Sequence, residues 1–127
     1  MTNIRRDRPF GIGKKPFHLP IEMAVLVPST TKKSKSISKA AYHAGLSHTQ
    51  KYLGRVYGGY TSVSARGGYV SHGGKLIRER VGEVKSFTTR KEFMSHRKGL
   101  YRWLRSHGKQ WGQENMGYEY EGDLYYV

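Results

Sequence analysis

The chain has no cysteine among its 127 residues. That excludes a disulfide framework, a thiolate metal site and a cysteine nucleophile, and it fits a reducing compartment. Acid is scarce too, with 9 Asp and Glu against 23 Lys and Arg, a net charge of +14. No stretch approaches the roughly 18 apolar residues of a membrane span, and Met1 to Pro20 lacks the apolar centre of a signal peptide. We therefore expect a cytoplasmic protein with no membrane contact. The length suits one domain of about 100–150 residues, and 13% aromatic residues, 10 of them Tyr, are too many for a disordered basic tail.

The charge is unevenly placed. All 23 bases lie at or before Lys109 with five acids, a net +18, whereas residues 110–127 hold Glu114, Glu119, Glu121 and Asp123 and no base. An excess of this size implies a polyanionic partner such as nucleic acid or a ribonucleoprotein. Residues 1–20, with Arg5, Arg6, Arg8, Lys14 and Lys15 among Pro9, Pro16 and Pro20, read as a basic arm that holds no helix. Residues 21–127 read as a single α+β domain.

Ile21 to Val27 is a short apolar run closed by Pro28, the pattern of a central strand. A polar, basic loop follows, with Ser36 placed to cap the next helix. From Ile37 to Tyr57, Tyr42, Leu46, Thr49, Leu53, Val56 and Tyr57 recur at helical spacing. Tyr60 to Arg66 alternates as a strand, Gly67-Gly68 and Gly73-Gly74 punctuate a hairpin, and Lys75 to Phe87 forms the next strand, with Gly82 marking a bulge. Thr89 to Glu92 has capping-box spacing, Gly108 is a natural stop, and Phe93, His96, Leu100, Trp103 and Leu104 make the inner face between them. Trp111 to Val127 ends as a strand or hairpin turning at Glu121-Gly122-Asp123. The order predicts a ferredoxin-like split βαβ sandwich (β-α-β-β-α-β), an antiparallel sheet with two helices on one face.

At about 100° per residue, Lys91, Lys98, Arg102, Arg105 and Lys109 fall within an arc of roughly 60° on the second helix, a basic stripe about 27 Å long. Such like charges repel unless something offsets them, as phosphates do. With the arm and the loop residues Lys32, Lys33 and Lys35, they make three basic elements on one small domain. Tyr60 and Tyr69, on adjacent strands, are candidates for stacking on bases. We accordingly expect a small nucleic-acid-binding protein, for RNA, single-stranded DNA or a ribonucleoprotein, acting mainly through phosphates and needing no cofactor. The alternatives are a phage- or plasmid-type protein docking on a larger host nucleic-acid machine or protein complex, and a small metal-dependent hydrolase using Glu79 and Glu114.

His72, Glu79, Gln113 and Glu114 converge if the central hairpin meets the terminal strand, and that residue set suits acid–base work or a hard metal. The spacing lacks an HxxxH pair, a paired-carboxylate motif and a Gly-rich strand-to-helix loop. We therefore expect Glu79 to pair with a neighbouring Arg, Gln113 and Glu114 to close the sheet edge, no catalytic or metal-ligating residues, and no enzyme. The segments GGYTSV (58–63), GGYVS (67–71), Gly74 to Glu79, and WGQE with YEYEGDLYYV (111–127) resemble uncharacterised small bacterial and mobile-element proteins that begin with a MAVLVPST-like strand. The resemblance covers roughly residues 22–127, brings no activity or site residue with it, and implies that residues 1–20 are an addition to a separate module.

Overall fold

A computed structural model describes residues 4–33 and 35–127. The first three residues of the expected arm lie outside the described residues; Ile4 to Pro20 form no helix or strand. The body runs β1 (Ile21–Val27), α1 (Lys39–Tyr57), β2 (Thr61–Val70), β3 (Leu76–Thr88), α2 (Arg90–Gln110), β4 (Gly117–Tyr120) and β5 (Asp123–Tyr126). The strands make one sheet in the order β2-β3-β1-β4-β5, with every neighbouring pair antiparallel. This is the expected α+β architecture: each helix crosses between strands separated by a third, and a fifth strand extends the edge.

β1 is central because its side chains suit burial on both sides. Met23, Val25 and Val27 are buried in the core, and Ala24 on the other face is buried as well. Ser38 begins α1 by accepting a hydrogen bond from the Ala41 N–H, and Gly58 ends it at φ 92° with its N–H on Gly54 O. The cap is thus Ser38 and not Ser36, which forms a β-bridge with Thr30 instead. Thr89 caps α2 by accepting from the Glu92 N–H at 3.2 Å. That helix runs past Gly108 to Gln110. Gly108 is there for proximity: a Cβ would lie 2.7 Å from the Met116 side chain.

The helices pack on the face carrying Val84, Ser86 and Thr88 of β3, and the core joins Met23, Val25 and Val27 with Leu53, Tyr57, Leu100, Leu104 and Met116. Each fully buried aliphatic side chain contributes about 1.5–3 kcal/mol. The expected bulge at Gly82 does not form, since β3 pairs without interruption from Leu76 opposite Val70 to Lys85 opposite Thr61. Ile77 and Val81 are out of phase with Val84 because they point to the other face, where the outer half of β3 continues past the helices. Gly82 lacks a side chain because a Cβ would collide with Leu46 of α1. β2 likewise runs through Gly67 and Gly68, and the turn falls at Ser71 to Lys75, where Gly74 N–H donates to Ser71 O.

Candidate active site

On the face away from the helices, the outer halves of β2 and β3 project beyond β1. A cleft of about 800 Å³ opens there, walled by the β1–α1 loop on one side and the α2–β4 connection on the other. The β2–β3 register puts Gly67 opposite Glu79 and Tyr69 opposite Ile77, all four on this open face. Two adjacent glycines leave the strand backbone accessible beside a carboxylate, a common mark of close approach by a ligand.

The β1–α1 loop supplies the opposing wall. Thr30 donates to Glu79 Oε2 twice, from its hydroxyl at 2.6 Å and from its backbone N–H at 3.1 Å, and its hydroxyl lies 3.5 Å from the Tyr69 hydroxyl. From the other wall, Gln113 Nε2 donates to Thr30 O at 2.6 Å and to Trp111 O at 3.0 Å. The Lys32 N–H donates to Gly112 O at 3.0 Å. Two connections that are 83 positions apart at Thr30 and Gln113 are thus bonded across the sheet end. Lys32, Lys33, His72, Glu114 and Tyr126 also line the cleft.

The four polar residues that the sequence analysis grouped, His72, Glu79, Gln113 and Glu114, therefore all line one cleft. The expected pairing of Glu79 with an arginine is replaced by the Thr30 contacts, because Arg78 and Arg80 alternate onto the opposite face of β3. Among the described residues no group of three His, Cys, Asp or Glu is placed to hold a metal ion. Thr30, the residue that joins the walls, carried no signal in the sequence.

The residues expected to bind nucleic acid are dispersed. Lys91, Lys98, Arg102, Arg105 and Lys109 are exposed on α2, the helix layer of the fold. Arg5, Arg6, Arg8, Lys14 and Lys15 are exposed on the N-terminal segment, where Arg5 and Lys15 pair with Asp7. Lys32 and Lys33 border the cleft with Tyr69, whereas Lys35 donates its backbone N–H to Thr31 Oγ1 within the loop and Tyr60 packs beside Gly54 of α1.

Elsewhere, burial pushes the Tyr57 and Tyr118 phenols well above their ordinary value, but both belong to the core side. On the open face, Lys85 bridges Glu22 at 2.9 Å and Glu83 at 3.6 Å, and the hydrogen bond to Glu22 holds its ammonium above the usual lysine range. No described helix is long and apolar enough to cross a membrane.

No family model and no curated protein matches the chain. Its fold does match solved structures. A phage SAM lyase in complex with S-methyl-5'-thioadenosine is similar at a TM-score of 0.61 with 13% identity, over 91% of this chain and 95% of that one. A phage SAM lyase in the apo state is similar at a TM-score of 0.55 with 14% identity, over 84% and 87%. At this identity the likeness establishes a shared fold. The matching structures belong to a phage enzyme, and that finding corrects the expectation of a nucleic-acid-binding protein that is not an enzyme. Net charge misled here because it measures the solvated surface, whereas this cleft depends on a carboxylate, a hydroxyl and an amide that only the tertiary fold brings together.

Proposed function

We propose that the cleft binds S-adenosylmethionine and cleaves it as a lyase, releasing S-methyl-5'-thioadenosine. The observation that carries this reading is the convergence of Glu79, Thr30, Tyr69 and Gln113 in a ligand-sized cleft. The fold is one shared with a phage SAM lyase that was solved with this thionucleoside bound. The bond to break is the one between the sulfonium and the aminobutyryl carbon, and its electron pair goes to sulfur. The substrate's own carboxylate closes on that carbon, forming the C–O bond of a lactone, so no water, oxidant or external base is consumed.

Sulfur loses its positive charge along this path. A carboxylate held on the sulfonium stabilises the ground state more than the transition state and slows the step. Glu79 is better used on the ammonium, whose charge does not change, where it holds the amino-acid tail folded toward sulfur. Lys32 and Lys33 at the border attract the substrate carboxylate on approach, and the backbone of Gly67 and Gly68, next to Tyr69 on the same strand, offers a surface for the purine.

The test is to incubate the purified chain with S-adenosylmethionine and follow S-methyl-5'-thioadenosine by chromatography. The wild type is expected to release it, and Glu79→Gln to lower kcat/KM by about 100-fold, as a misplaced reacting group does. Absence of release by a folded wild type overturns the reading.

A further inference from the structure

The two Thr30 donors on Glu79 have a consequence beyond wall-building. A glutamate's terminal torsion is broad and roughly two-fold, so its carboxylate does not orient itself. Here both the hydroxyl and the N–H of Thr30 fall on the same oxygen, Oε2. Among the described residues no hydrogen bond engages Oε1. The side of the carboxylate available to a ligand is therefore set by Thr30.

Thr30 is itself over-determined. It is 9% exposed, its carbonyl accepts from Gln113, and it forms an antiparallel bridge with Ser36. The loop around it closes through Thr31 N–H on Lys35 O at 2.8 Å and Ile37 N–H on Ser29 O at 2.7 Å. A supporting residue fixed from several directions is what orientation of a catalytic group requires.

We propose that Thr30 is a positioning residue: it clamps Oε2 of Glu79 so that Oε1 meets the ammonium of the substrate. This rests on the lyase reading above and names how that site tells substrate from product. S-adenosylmethionine carries the ammonium and S-methyl-5'-thioadenosine lacks it, so the clamp matters to the first ligand and is invisible to the second.

The decisive variant is Thr30→Val, which keeps the shape and the backbone donor and removes the hydroxyl; Thr30→Ser restores the hydroxyl. Calorimetric titration of the full chain with a non-cleavable aza analogue of S-adenosylmethionine, which keeps the ammonium, is expected to show binding about 10-fold weaker in Thr30→Val, with the affinity for S-methyl-5'-thioadenosine unchanged. kcat is expected to fall by about 10–100-fold, and Thr30→Ser to recover both to within about three-fold. Equal weakening of both ligands means that the cleft has collapsed, and it overturns the positioning role; so does a Thr30→Val protein that behaves as wild type.

If the wild type binds neither ligand, the lyase reading fails, and the clamp is judged by crystal structures of the same proteins. A Glu79 carboxylate held on Oε2 in the wild type and Thr30→Ser, but reoriented in Thr30→Val, supports it. An unmoved carboxylate in Thr30→Val overturns it.

Discussion

The two halves of β3 show how one strand serves two purposes. From Gly82 to Thr88 its even-numbered residues are buried under the helices, and from Leu76 to Val81 no residue is fully buried. The inner half holds the fold together. The outer half extends beyond the helices and gives one face to the cleft. A carboxylate there keeps access to solvent and ligands, which the core does not allow, since a buried unpaired charge is too costly to hold ionised. Stability and binding should therefore respond to different substitutions along one strand and its neighbours.

The sharpest contrast sets a core residue against a cleft residue. Leu53 is fully buried between helix and sheet, and Leu53→Ala is expected to cost about 2–5 kcal/mol through lost burial and the remaining cavity. A denaturant titration checks it, and a loss under about 1 kcal/mol means that the packing is looser than described. Glu79→Gln is the counterpart. Its activity loss of about 100-fold corresponds to about 2.7 kcal/mol at the transition state. Its unfolding free energy should change by less than about 1 kcal/mol, because the amide still accepts from Thr30 through its oxygen. A variant that loses stability and activity together erases the distinction between the halves.

At the junction of the halves stands Gly82. Gly82→Ala pushes a methyl group into Leu46, and its substituent also comes within 3.1 Å of the Tyr42 hydroxyl, so a loss of about 1–3 kcal/mol is expected from overpacking. Binding of S-methyl-5'-thioadenosine, measured below the melting transition, should survive. Loss of binding at full stability places the junction in the site.

Which parts were legible in the sequence follows from the range of the interactions. β1, α1 and α2 were visible because their patterns are local: an apolar run ended by Pro28, a stripe through Tyr42, Thr49 and Leu53, and a cap at Thr89. Gly82 was visible as unusual, yet its cause was hidden, since the neighbour that excludes a side chain belongs to another element. The cleft was half visible. His72, Glu79, Gln113 and Glu114 were grouped by chemistry alone, whereas Thr30 is an ordinary loop threonine until the fold brings it within 2.6 Å of a carboxylate 49 positions away. The exposed lysines and arginines of the N-terminal segment and α2 gave the strongest local signal and the least information about the cleft, because surface charge requires no tertiary partner.

The smallest expected effect lies in the core and concerns a group that the fold buries without using. The Tyr57 hydroxyl has no hydrogen-bond partner among the described residues, and burial is the main reason that its phenol is held neutral far above its ordinary value of 10.0. The folded state therefore keeps a proton that the unfolded chain releases above about pH 10. This contribution is fully present below that pH and is lost as pH rises toward the folded value. Tyr57→Phe removes a buried polar atom that is already unpaired. At pH 7 the variant should be as stable as the wild type or more stable by up to about 1 kcal/mol. Between pH 10 and 11 its stability should fall less steeply, the remaining slope coming from Tyr118, Tyr42, Tyr52 and Lys85, which are also held above their ordinary values. Denaturant titrations at pH 7 and across this range measure both effects. A Tyr57→Phe protein less stable than the wild type at pH 7 shows that the hydroxyl has a partner in solution, and removes this contrast between a polar group buried without use and one placed for binding.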